Sequence, residues 1–61
     1  MKRKCMILSW EDTSICAVER IENEFPCFVI IHDINEDNYE VFIDARIEDW
    51  ASIERILAPF V

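Results

Sequence analysis

The chain has 61 residues, and thirteen Asp or Glu against six Lys or Arg give it a formal net charge of −7. Apolar residues make up 52% of the sequence, which is too many for a disordered acidic tail, and the length allows one small domain. Glycine is absent, which excludes the P-loop, the dinucleotide-binding loop and the nucleophile elbow, because all three require it. We therefore expect a single domain over residues 1–61.

The N-terminus begins with a basic run, residues 2–4, like the start of a signal peptide. The apolar segment that follows, residues 5–10, is too short for a signal-peptide core or a membrane span. The acidic remainder would be repelled by anionic lipid. We therefore expect a cytoplasmic protein that does not bind membranes and whose cysteines are reduced.

Short apolar segments recur along the chain at a regular spacing. Cys5, Cys16, Cys27 and Asn38 stand eleven residues apart, and an apolar-rich hexapeptide follows each of them. Such spacing is typical of an antiparallel meander. We expect each segment to form a strand, and we expect the three cysteines to be small apolar core residues.

Residues 10–24 fit either a helix or a strand. A helix would place its apolar residues within one arc of about 100°, and Ser9 and Asp12 would then resemble a capping box. A strand is favoured by the β-formers Thr13 and Ile15. We expect the strand, which gives an α+β fold of order ββββα, with βαββα as the alternative. The arc of the helical alternative consists of Trp10, Ser14, Ala17, Val18, Ile21 and Phe25.

The strand that begins at residue 39 alternates most clearly, and it pairs with the preceding apolar run in one register. Pairing Ile31 with Val41 and Val29 with Ile43 makes one face of this hairpin wholly apolar. A slip of one residue would mix the two faces, so burial should fix the register. The apolar face is expected to hold Cys27, Val29, Ile31, Tyr39, Val41, Ile43, Ala45 and Ile47.

The C-terminal segment predicts a helix. Asp49 can serve as its N-cap, and Pro59 ends its regular part. We expect this helix to pack on the wholly apolar sheet face. Its apolar stripe, at helical spacing, consists of Trp50, Ile53, Leu57 and Phe60.

The opposite face of the hairpin keeps large apolar side chains. In ββββα nothing else in the chain is available to cover them, whereas in βαββα the first helix is available. Exposed aromatic and aliphatic residues beside acidic ones are typical of a protein interface. The predicted interface residues are Phe28, Ile30, His32, Glu40, Phe42 and Asp44.

One spacing matches a calcium site. Asp33, Asn35, Asp37 and Asp44 fall at positions 1, 3, 5 and 12 of an EF-hand loop. However, Asn38 stands where that loop requires glycine, and the flanking segments are strand-like. Zinc is not supported, because the three cysteines and one histidine include no C-x-x-C pair. We therefore expect a polar hairpin loop, with no metal and no cofactor.

The acidic residues indicate the kind of partner. Their mean surface density is about threefold below that of duplex DNA, and three N-terminal bases cannot outweigh the acidic body. We therefore do not expect direct nucleic-acid binding. Asp33, Glu36 and Asp37 are expected to steer the protein towards a larger, basic protein partner.

These patterns together predict a small acidic protein-binding module without catalytic residues. A chain this short rarely encloses the cleft that tunes paired carboxylates for acid–base catalysis. Small acidic inhibitors of basic nucleic-acid-handling proteins, of the anti-defence type, have this general composition. The alternative is a homo-oligomeric structural or regulatory domain, in which the second sheet face closes a symmetric homodimer.

Overall fold

Three strands form one antiparallel sheet in the computed structural model, which describes all of residues 1–61. They are β1 (Lys2–Ser9), β2 (Cys27–Asp33) and β3 (Asn38–Ala45). Their order in the sheet is β1-β3-β2, so β3 is central and both other strands are edges. β3 alternates strictly between half-buried and buried residues, as expected of a central strand that is covered on one face.

A helix, α1 (Asp12–Glu24), occupies the segment that was ambiguous in the sequence. The expected four-stranded ββββα order is therefore wrong, and the alternative βαββα describes the chain. Val18 and Ile21, on the predicted helical arc, are buried, and this burial outweighs the local β-preference of Thr13 and Ile15. The broader expectation of a small α+β fold with an antiparallel sheet is confirmed.

The register of the β2–β3 hairpin is the one that the sequence predicts. Ile31 pairs with Val41, and Val29 pairs with Ile43. On its other side β3 pairs with β1, with Leu8 opposite Tyr39. The face of the sheet that packs on the core therefore runs across all three strands, with buried residues on β1 and β3 and the half-buried Cys27 and Val29 on β2.

The second helix, α2 (Trp50–Leu57), packs on the same face as α1. Its predicted stripe is confirmed: Trp50, Ile53 and Leu57 are buried, and Phe60 is half-buried in the short 3₁₀ turn that follows. Pro59 lies in that turn, just beyond the regular helix. Neither helix has both the length and the apolar character needed to cross a membrane.

The turn into α2 matches the prediction only in part. Asp49 is the N-cap residue, but its side chain makes no capping hydrogen bond, because its carboxylate accepts a hydrogen bond from Nε of Arg46 at 2.8 Å. The expected place of Ile47 on the apolar face is also wrong. β3 ends at Ala45 and the chain turns into a 3₁₀ segment, Ile47–Asp49, which leaves Ile47 exposed.

Ten apolar residues from the sheet and both helices form the core, and Ser14 is the only buried polar residue. The cysteines differ from their expected role, because Cys5 and Cys16 are exposed and Cys27 is only half-buried. Cys5 lies on the sheet face that points away from the helices. The core residues are Leu8, Val18, Ile21, Tyr39, Val41, Ile43, Ala45, Trp50, Ile53 and Leu57.

Candidate protein interface on the open sheet face

The two helices cover one side of the sheet and leave the other side bare. All the buried sheet residues, such as Leu8, Val41 and Ile43, share one face, because successive strand residues point to opposite sides. α1 contributes Val18 and Ile21 to the same core, so it packs on that side of the sheet and does not cover the second face. No element of the fold covers that second face.

We call this second side of the sheet the open face. Nine of its residues form three rows that cross all three strands. The six predicted interface residues all lie in these rows, and β1 adds three that the sequence reasoning missed. β1 carries apolar residues at both alternating positions, so its sequence alone did not assign a face. The rows are Arg3, Asp44 and Phe28; Cys5, Phe42 and Ile30; and Ile7, Glu40 and His32.

The centre of the open face is apolar and accessible. Phe28 is 72% exposed, Ile30 is 62% exposed and Ile7 is 53% exposed. Phe42 lies between them on the central strand and is half-buried by its neighbours. Accessible aromatic and aliphatic residues grouped in this way are the usual mark of a binding surface.

An ion pair and a His–Glu contact flank this apolar centre at opposite ends. Nη2 of Arg3 lies 3.8 Å from Oδ2 of Asp44, and Nδ1 of His32 lies 3.8 Å from Oε1 of Glu40. Both pairs include a well-exposed partner, so they contribute little to stability. On the open face Arg3 offsets the charge of Asp44, and most of the excess negative charge of the protein lies elsewhere.

Part of that excess lies at the β2–β3 loop, which has no basic residue to offset it. Oδ1 of Asn35 accepts hydrogen bonds from the backbone N–H of Asp37 at 2.8 Å and of Asn38 at 2.9 Å. This local turn closes the loop without a residue of positive φ. It presents the predicted steering residues Asp33, Glu36 and Asp37, all exposed, at one end of the sheet.

Trp10 joins the start of α1 to this loop. Its backbone N–H donates to the carbonyl of Asp37 at 2.9 Å, and its indole Nε1 donates to the carbonyl of Asn35 at 3.1 Å. Glu11 and Asp12 follow directly, so their exposed carboxylates join those of the loop. We call this group the acidic end, and segments 9–13 and 33–38 contain no Lys or Arg. Its members are Glu11, Asp12, Asp33, Glu36 and Asp37.

The residues of the EF-hand spacing are not brought together. Asp44 lies six residues along β3 from Asn38, about 20 Å at about 3.3 Å per residue. It is paired there with Arg3, away from Asp33 and Asp37. No group of three or more His, Cys, Asp or Glu residues is placed to hold a metal ion.

An open groove separates α1 from α2. Its two charged residues are Arg20, whose Nε donates to Glu24 at 2.7 Å, and Arg55. The lining contains no carboxylate and no histidine, so the groove holds no pair of groups for acid–base chemistry. It is lined by Thr13, Cys16, Ala17, Arg20, Arg55, Ile56, Pro59 and Phe60.

The thiol of Cys27 is poorly suited to nucleophilic chemistry. Burial raises the pKa of Cys27, and the nearby carboxylates of Glu22 and Asp49 raise it further. A raised pKa leaves less of the reactive thiolate at neutral pH. The strands also place Cys27 and His32 on opposite faces of the sheet.

Comparison with protein-family models, with curated proteins and with solved structures finds no match for this chain. The open face and the acidic end are therefore the features of the molecule from which its function is inferred.

Proposed function

We propose that this protein is a non-catalytic binding module that docks its open face on a larger, basic protein. The observation that carries the proposal is the packing of both helices on one side of the sheet. It leaves Phe28, Ile30 and Ile7 accessible on the other side. An apolar surface of this kind gains free energy when a partner removes it from water.

The acidic end and the net charge of −7 support a basic partner. Like-charged residues grouped at one end of a small molecule raise the rate of encounter with an oppositely charged surface. Proteins that handle nucleic acids carry such basic surfaces. A partner of this class would have its nucleic-acid site obstructed by the bound module, so the module would act as an inhibitor.

Ile7→Lys tests the docking surface, because Ile7 is accessible on the open face and lies on β1, at the edge opposite β2. Ile47→Lys is the matched control, since Ile47 is also an exposed isoleucine but lies in the turn before α2. Both substitutions change the net charge equally. Each variant and the wild type are immobilised and used to capture proteins from the native cell.

We expect the wild type and Ile47→Lys to capture the same basic protein, and Ile7→Lys to lose it. Capture should weaken as salt rises, because salt screens the attraction between the acidic end and the partner. Equal capture by Ile7→Lys and Ile47→Lys would show that the open face is not the docking surface.

A further inference from the structure

The two edges of the sheet differ in how they are protected against pairing with another strand. β1 carries Lys2, Arg3 and Lys4 in its first half. Arg3 lies on the open face beside Asp44, and Lys4 lies on the helix side, where it binds the carboxylate of Glu54. Charged residues, and lysines above all, are the usual protection of an exposed edge.

β2 has no such protection. Residues 27–31 form an uncharged run in which no proline interrupts the strand. The run is accessible on both sides: Phe28 and Ile30 are exposed on the open face, and Ile31 is 45% exposed on the helix side. A regular, apolar edge strand with free backbone donors and acceptors is a template for another strand.

We infer that β2 pairs in solution with β2 of a second copy of this chain, antiparallel, about a two-fold axis at Val29 perpendicular to the sheet. The result is a continuous six-stranded sheet. In this register Phe28 of one copy lies opposite Ile30 of the other on the open face, and Cys27 lies opposite Ile31 on the helix side. Aromatic and aliphatic residues are favourable cross-strand neighbours.

The register follows from the charges and the proline that flank the run. An axis at Val29 sets the uncharged run of each copy against that of the other. An axis at Ile30 would instead pair Asp33 with Cys27 inside the shared ladder, whereas the axis at Val29 leaves Asp33 outside it. Pro26 lies just outside the run, and because it has no backbone N–H it ends the shared ladder there.

The two acidic ends do not repel each other in this pairing, because antiparallel strands place them at opposite ends of the shared edge. Each acidic end instead approaches residues 24 and 25 of the other copy, where the carboxylate of Glu24 is paired with Arg20. The β2 strand of seven residues is about 23 Å long, well beyond the Debye length of about 8 Å at physiological salt. We therefore expect the dimer to persist as salt rises, whereas binding to a basic partner should weaken.

The pairing also enlarges the open face. A three-stranded face is about 14 Å wide and 23 Å long, roughly 330 Å², against about 800 Å² on each side of a standard interface. Two copies joined at β2 present about twice the area of a single open face as one surface. This consequence rests on the proposed docking function, whereas the pairing itself does not.

Ile31→Lys tests the pairing in the isolated protein, by sedimentation over a range of concentrations. Ile34→Lys is the matched control, because Ile34 is an isoleucine 44% exposed in the loop outside the run. We expect a wild-type dimer whose dissociation constant rises at least about tenfold in Ile31→Lys and stays unchanged in Ile34→Lys. A wild type that stays monomeric at millimolar concentration, or an equal effect of both variants, would overturn the inference.

A cross-linking experiment tests the register and does not depend on how Ile31→Lys folds. In a background of Cys5→Ser, Cys16→Ser and Cys27→Ser, oxidation should join two copies of Val29→Cys through a disulfide. Ile31→Cys in the same background should not be joined, because the two Ile31 positions lie far apart along the antiparallel strands. Linkage of Ile31→Cys at the rate of Val29→Cys would refute this register.

Amide hydrogen exchange of the wild type gives a further readout. Exchange of β2 amides should slow as protein concentration rises, and exchange of β1 amides should not change. All three experiments use the protein alone, so failure of the pairing is distinguishable from failure of docking, which Ile7→Lys reports.

Discussion

Oγ of Ser14 lies 2.5 Å from the hydroxyl oxygen of Tyr39, and this hydrogen bond joins α1 to the central strand inside the core. Both residues are fully buried, so each hydroxyl depends on the other for its hydrogen bond. The indole of Trp10 packs on the same tyrosine ring, with ring centroids 4.3 Å apart. Tyr39 therefore holds both α1 and the segment that leads into it against the sheet.

Removal of either hydroxyl should destabilise the fold, because the remaining one is left buried without a partner. We expect Tyr39→Phe and Ser14→Ala each to lower the free energy of unfolding by about 1–3 kcal/mol. The double variant should lose clearly less than the sum of the two, since it leaves no orphan hydroxyl. Urea unfolding measures all three, and strictly additive losses would show that the hydrogen bond contributes nothing.

Trp50 makes the corresponding connection between α2 and β1. It is buried, and its indole Nε1 donates to the carbonyl of Lys2 at 2.9 Å. We expect Trp50→Phe to cost about 1–3 kcal/mol, from the unpaired carbonyl and the lost volume. Trp10→Phe serves as the control, because Trp10 is 36% exposed and water can reach its partners. Thermal unfolding that ranks Trp10→Phe as the more damaging change would contradict this assignment.

The three thiols should react at different rates. Because burial and two carboxylates raise the pKa of Cys27, it should be alkylated more slowly at neutral pH than the exposed Cys5 and Cys16. Mass spectrometry of iodoacetamide-treated protein, stopped at intervals, measures the order. Labelling of Cys27 ahead of Cys5 and Cys16 would contradict the half-buried position of its thiol.

The same pKa shift predicts the effect of alkaline pH on stability. The folded protein retains the proton of Cys27 at a pH where the unfolded chain, with an ordinary value of 9.0, releases it. Stability from this group is therefore present below pH 9 and is lost as pH rises through the raised folded value. Denaturant midpoints measured through this range should fall more steeply in the wild type than in Cys27→Ala.

Charge reversal should distinguish the effect of the acidic end on the association rate from the effect of the overall net charge. Glu36→Lys with Asp37→Lys alters the acidic end, whereas Glu19→Lys with Glu22→Lys makes the same change on α1. We expect the first pair to slow association with the captured basic protein about tenfold or more at low salt, with little change in dissociation. Surface plasmon resonance gives both rates. Equal slowing by the two pairs would show that only the overall charge matters.

Local periodicity was sufficient for the hairpin and for α2. In residues 39–45 one alternating set is wholly apolar, so only one register buries it, and the pairing of Val29 with Ile43 follows. The stripe of Trp50, Ile53 and Leu57 is equally one-sided. Residues 10–24 fit both the helical and the strand period. The choice between helix and strand there depended on whether a sheet was available to bury Val18 and Ile21.

By itself, then, the sequence determined which side chains must be buried together and that the second face of the hairpin would keep large apolar side chains beside charged ones. Only the tertiary structure decided that α1 and α2 share one side, that Cys5 and Ile7 join the open face, and that Glu11 lies beside the β2–β3 loop. The reason is physical: the alternation of apolar and polar residues within a segment shows which of its own side chains are buried, and it does not show which other segment buries them. The pairing of β1 with β3 joins residues that are 29 to 43 positions apart, so it depends on which apolar faces of separate segments pack into the one core.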